Sequence, residues 1–249
     1  MKMIPAISII IGMIMGSFLH LVALRRSRGI SIISPSSHCF NCKRILKPFS
    51  LIPVFSYIIQ KGKCRYCGEE IGIGSFFAEI IMPLSYICLY FKFGLSAKLF
   101  MMIYLVSVLY IMSITDILEK NIFDIDLVFL FIAAFIYLIY AYFYKFFDMR
   151  IGIIQLFLFG LYFIVKRLEK PPLAEGDILV YIALLTFLNI FEGILFIFSS
   201  FWIAAIVLIA LIKMKSLESD KIPFIPFIAI SFFLVILLGE DILKFMGWL

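Results

Sequence analysis

Charged side chains make up only 15% of the 249 residues, and histidine occurs twice. A soluble domain of this size would carry more charge and would not string together long uncharged runs, so that class is excluded. The chain has no glycine-rich phosphate loop with lysine, no Ser-His-Asp set and no dinucleotide-type glycine fingerprint. Nucleotide-driven and serine-hydrolase chemistries therefore have no footing. Internal repeats and low-complexity segments are absent as well. What is present is apolar: 64% of residues are hydrophobic, 29 of them Phe, and the mean hydropathy is +1.14. The expected fold class is an all-α polytopic membrane protein.

Spanning a bilayer takes about 20 apolar residues in a helix. The apolar runs predict eight spans, over residues 4–24, 76–91, 99–115, 125–144, 151–165, 178–188, 194–212 and 222–243. The first is too long for a cleaved signal peptide and reads as a retained span. Basic loops stay on the cytoplasmic side. With the N-terminus outside, the inner segments hold 16 of the 22 Lys and Arg residues, nine of them between Arg25 and Arg65. This distribution accounts for the net charge of +6 without a nucleic-acid partner. The predicted division is a first membrane helix (1–24), a cytoplasmic four-cysteine domain (25–75) and a seven-helix membrane domain (76–249).

Four of the five cysteines form two Cys-x-x-Cys pairs, Cys39/Cys42 and Cys64/Cys67. Each pair offers two sulfurs from one tight turn, and two turns complete a tetrahedron, the spacing of a structural zinc ribbon. Four sulfurs leave no open position, so the metal has no hydrolytic role. His38 reads as a bystander and Cys88 as a small apolar filler. In the first run, Gly12 and Gly16 stand four apart and permit close helix packing, and His20 reads as a packing residue.

Two aspartates sit at the ends of apolar runs. Asp116 closes one run and Asp177, within Ala174-Glu175-Gly176-Asp177, opens another. With eight spans and the N-terminus outside, both reach the cytoplasmic boundary. Two carboxylates at one depth can share a proton, the minimum equipment for hydrolysis by an aspartic mechanism. An acid at a helix end is disfavoured by the helix dipole, which sets Asp116 apart. Asp124 and Asp126 are explained by the start of a helix, and Asp177 taken alone reads as a helix cap. Gly176 lets another segment approach closely. The prolines of Ile222-Pro223-Phe224-Ile225-Pro226-Phe227 either rim the site or begin the last span.

Together these strings resemble the type IV prepilin peptidases, bifunctional membrane aspartic enzymes. Gly16-Ser17-Phe18-Leu19 followed by Arg25, the cysteine pairs with Ile52-Pro53-Val54-Phe55-Ser56-Tyr57 between them, Glu79, Asp116 with Asp124, Gly176-Asp177 and the Pro-Phe box carry the likeness. Ala174, Leu179, Phe123 and His20 depart from the family pattern, and none of these removes a carboxylate. The resemblance implies Asp116 and Asp177 as the catalytic pair, with Gly176, Glu79 and Asp124 in support. It implies removal of a leader from prepilin or pseudopilin helices, then methylation of the new N-terminus by S-adenosylmethionine, served by the cysteine domain. The implied location is the bacterial inner membrane, with the site at the cytoplasmic face and lipid around the helices. A peptidase without methyl transfer, or a non-enzymatic transporter or scaffold with a zinc-ribbon docking domain, are the alternatives.

Overall fold

The computed structural model describes residues 3–144, 148–168, 174–214 and 222–248. Lys2 and Lys145, residues 169–173 with Pro171 and Pro172, and residues 215–221 lie outside the described residues. All eight predicted runs are helical: α1 (Met3–Ser27), α3 (Ile73–Phe93), α4 (Ala97–Glu119), α5 (Asp124–Phe143), α6 (Ile151–Val165), α7 (Glu175–Leu185), α8 (Ile190–Lys213) and α9 (Ile225–Phe245). A short α2 (Phe55–Ile59) lies between the cysteine pairs. No strand occurs among the described residues. Six helices are long and apolar enough to cross a membrane. The exceptions, α6 and α7, have 15 and 11 residues. At 1.5 Å per residue they measure about 22 and 17 Å, against a hydrocarbon core of about 30 Å. The chain forms two compact units, Met1–Ile103 and Tyr104–Leu249.

In the first unit α1 packs along α3. A Cβ on Gly12 would stand 2.4 Å from the Cα of Pro83, and one on Gly16 would stand 2.4 Å from the Ala78 carbonyl oxygen. Both neighbours are backbone and cannot rotate away, so glycine is what allows this approach. The Gly12/Gly16 expectation is met. His20 is buried against Gly74, whose missing Cβ would lie 2.7 Å from the ring. Cys88, the expected filler, is exposed on α3.

In the second unit α7 packs against α5 and α6, and α8 packs against α9. Several polar side chains inside this bundle bond across helix pairs. Gln155 of α6 donates to the Ile182 carbonyl at 3.0 Å and to the Thr186 hydroxyl at 3.1 Å. Ser231 of α9 donates to the Phe196 carbonyl of α8 at 2.8 Å. The α8 start carries a capping box between Asn189 and Glu192, which occupies two amides that would otherwise be orphaned.

Gly16→Val should destabilise the protein by about 2–3 kcal/mol, the cost of overpacking against an immovable neighbour. The melting temperature in detergent measures this. Gly160→Val, at a glycine with nothing within 4 Å of its would-be Cβ, should leave it nearly unchanged.

Candidate active site and metal centre

Asp116 lies in the last turn of α4, which runs on to Glu119 rather than ending at residue 115 as the apolar run suggested. The extra turn is closed by the Lys120 amide on the Asp116 carbonyl at 2.8 Å. The side chain is only 6% exposed. Its Oδ2 accepts the Ile225 amide at 2.9 Å, and the Phe224 amide stands next in the chain. These are the free amides at the start of α9, where Pro223 and Pro226 offer none. A buried carboxylate thus finds a donor and a positive helix end together. The 222–227 box therefore contributes directly to the surroundings of Asp116.

Asp177 is 5% exposed. The sequence suggested a helix cap, but the N-cap of α7 is Ala174. Asp177 is the third helical residue, and its amide donates to the Ala174 carbonyl at 3.1 Å. Gly176 does what close approach demands: its would-be Cβ stands 2.6 Å from Cδ1 of Ile122, in the turn after α4. That turn and the α7 start are thereby drawn together.

Behind Asp177, one helical turn on, Tyr181 shares a hydrogen bond with Ser200 of α8. Its ring lies parallel to Phe201, centroids 6.4 Å apart. Phe201 in turn meets Phe224 at 5.3 Å, the residue preceding Ile225. A run of contacts through α7, α8 and α9 therefore supports both acids. Nothing in the apolar pattern announced it; the only signal was the four-residue spacing of Asp177 and Tyr181. Asp124 is exposed at the first position of α5, whereas Asp126 is buried.

The four cysteine sulfurs converge. All lie within 4.8 Å of one another, and Cys39 and Cys67 are 3.8 Å apart. A tetrahedron with metal–sulfur bonds of about 2.3 Å has edges of about 3.8 Å, whereas a disulfide needs about 2.0 Å. The spacing fits a metal. Amides of Cys67 and Tyr66 draw the Cys64 thiol down to about 7, toward the thiolate a metal requires. The knuckles are tied together by Asn41 donating to Glu69 at 3.1 Å and by Arg44 over the Tyr66 ring. His38 stands aside, bonded to the Ser36 carbonyl at 2.8 Å.

Two buried charges fasten this module to its helices. Arg25 is 2% exposed and donates to the carbonyls of Ser31, Ile32, Pro35 and Ser36, setting the path into the first knuckle. Glu79 of α3 is buried and accepts the Val54 amide at 2.6 Å. Val54 has φ 64°, a costly conformation for a β-branched residue, and the charge-assisted bond helps hold it. Glu79 is thus engaged with the cysteine module.

The Tyr181–Ser200 pair should act as a unit. Tyr181→Phe and Ser200→Ala should each cost about 1 kcal/mol, with the double variant costing little more than either. Thermal unfolding of the four proteins in detergent gives the cycle.

Comparison with known proteins completes the picture. Residues 10–93 match the Bacterial Peptidase A24 N-terminal domain, a stretch holding the four cysteines and Glu79 but neither aspartate. A prepilin leader peptidase/N-methyltransferase of Bacillus subtilis (strain 168) is 38% identical over 112 residues, 45% of each chain. One of the same description from Myxococcus xanthus (strain DK1622) is 30% identical over 43% of this chain and 32% of its own. The chain therefore spans less than half the length of these two curated relatives. A prepilin leader peptidase/N-methyltransferase of Pseudomonas aeruginosa is 25% identical over 95% of this chain and 91% of its own. No solved structure matches. The chain is thus similar over residues 10–93 to the N-terminal domain of the bacterial A24 peptidases, and along 95% of its length to a prepilin leader peptidase/N-methyltransferase.

Proposed function

We propose that the protein is a prepilin leader peptidase of the bacterial inner membrane that cuts by an aspartic mechanism with Asp116 and Asp177, and that it also N-methylates the product. The observation that carries the reading is the burial of two aspartates, each at a helix end, with the turn that follows Asp116 packed against the glycine beside Asp177. The names of the relatives supply the substrate class, prepilins.

In this reading the ionised carboxylate takes a proton from water while the protonated one donates to the scissile carbonyl oxygen. The Ile225 amide fixes the orientation of Asp116 during that exchange. The distribution of Lys and Arg supports an outside N-terminus, which sets the pair at the cytoplasmic face, where a substrate helix would present its leader. Gly176 serves by admitting the Ile122 turn, and Asp124 by starting α5. Glu79 supports the cysteine module rather than the cut. Cys39, Cys42, Cys64 and Cys67 would hold zinc as a closed structural centre, folding a module of about fifty residues that has little core of its own. Methyl transfer from S-adenosylmethionine rests on the relatives' names and is assigned to no residue.

Asp116→Asn and Asp177→Asn should each lower leader cleavage about 10³-fold or more. Prepilin incubated with the reconstituted protein and read by mass spectrometry at its new N-terminus reports cutting and methylation together. Retained cleavage in either variant would remove the mechanism.

Cobalt added to the metal-free protein should give the absorption of a four-thiolate centre, and Cys64→Ser should weaken binding. Metal binding displaces protons from thiols, so affinity should fall as pH is lowered through about 7, where the Cys64 thiol titrates.

A further inference from the structure

Residues 48–60, between the two cysteine pairs, contain no charged side chain and are bounded by Lys47 and Lys61. They fold as a 3₁₀ turn, Pro48–Leu51, followed by α2. In a module standing in water such a segment would turn its apolar side chains inward. It does the reverse: Phe49, Leu51, Ile52, Phe55, Ile58 and Ile59 are 44–79% exposed. On α2 the exposed residues 55, 58 and 59 form one helical face.

The opposite side of α2 fixes its depth. Tyr57 stacks on Phe76, ring centroids 4.8 Å apart, and the Val54 amide is held by Glu79 at 2.6 Å. Phe76 and Glu79 belong to the first two turns of α3, a helix long and apolar enough to cross the membrane. The apolar face is therefore level with the point where α3 enters the bilayer. Lys47 and Lys61 border it in the chain, and with the module's other exposed cations, Lys43, Arg44, Lys63 and Arg65, they outnumber its two acids, Glu69 and Glu70. An apolar face at interfacial depth with a basic fringe matches an anionic lipid surface in both parts.

We propose that residues 48–60 are a membrane-surface anchor, with the apolar face seated among acyl chains and the flanking lysines on anionic headgroups. This depends on α3 spanning the bilayer and not on the catalytic reading. The anchor holds the four-cysteine module down against the leaflet at two points, through α2 itself and through its clasp on α3.

The test uses the full chain with Trp202→Phe and Trp248→Phe, reconstituted in phosphatidylcholine vesicles with or without phosphatidylglycerol. Ile59→Trp, and separately Phe49→Trp, should emit at short wavelength, lose emission to brominated acyl chains and resist acrylamide. Quenching by brominated lipid should be stronger with phosphatidylglycerol, and Lys47→Glu with Lys61→Glu should abolish that difference. Emission quenched by acrylamide and not by brominated lipid would overturn the proposal. So would protection that develops only when a prepilin helix is added, since the face would then belong to substrate, and so would indifference to phosphatidylglycerol. Asparagine variants of the aspartates should leave every one of these readings unchanged.

Discussion

The hydrogen bond from the Ile225 amide to Asp116 is the constraint on which the second unit turns. A carboxylate removed from water needs donors, and a helix start buried in protein needs acceptors. Here each demand answers the other. The bond joins the last turn of α4 to the first turn of α9 across 109 residues of sequence. Because α9 packs on α8, and Ser200 and Phe201 of α8 hold Tyr181 of α7, fixing that end of α9 also fixes the shelf beneath Asp177.

The first unit obeys a similar logic with different means. Its helices meet through glycine and backbone, and its soluble module has almost no apolar core. Cohesion comes instead from converging sulfurs and from two buried charges that spend their bonding capacity on backbone. Arg25 collects carbonyls and Glu79 takes an amide. Neither relies on an oppositely charged side chain, so both lend geometric definition without requiring a buried ion pair.

Much of this was legible in the chain. Apolar runs gave every long helix, because lipid enforces hydrogen-bonded helices wherever side chains are apolar. The cysteine spacing gave the sulfur cluster, since two tight turns leave few other arrangements. Helix ends were less legible: α4 gained a turn through Glu119 and α7 began at Glu175, because polar residues at the interface continue a helix as readily as they stop it. Asp177 proved to be the third residue of its helix rather than the cap, a distinction of backbone angles that composition does not encode. The partners of the acids, Ile225, Tyr181 and Ser200, were illegible, because long-range contacts between apolar helices leave no local trace.

The brevity of α6 has a consequence for the bilayer around it. At 15 residues, with most of its side chains at least partly exposed, it is shorter than the acyl layer is thick, so the bilayer must compress beside it or admit headgroups and solvent. The shorter α7 is mostly buried and packs against α6, so the thinned patch of leaflet would lie beside the helix that carries Asp177.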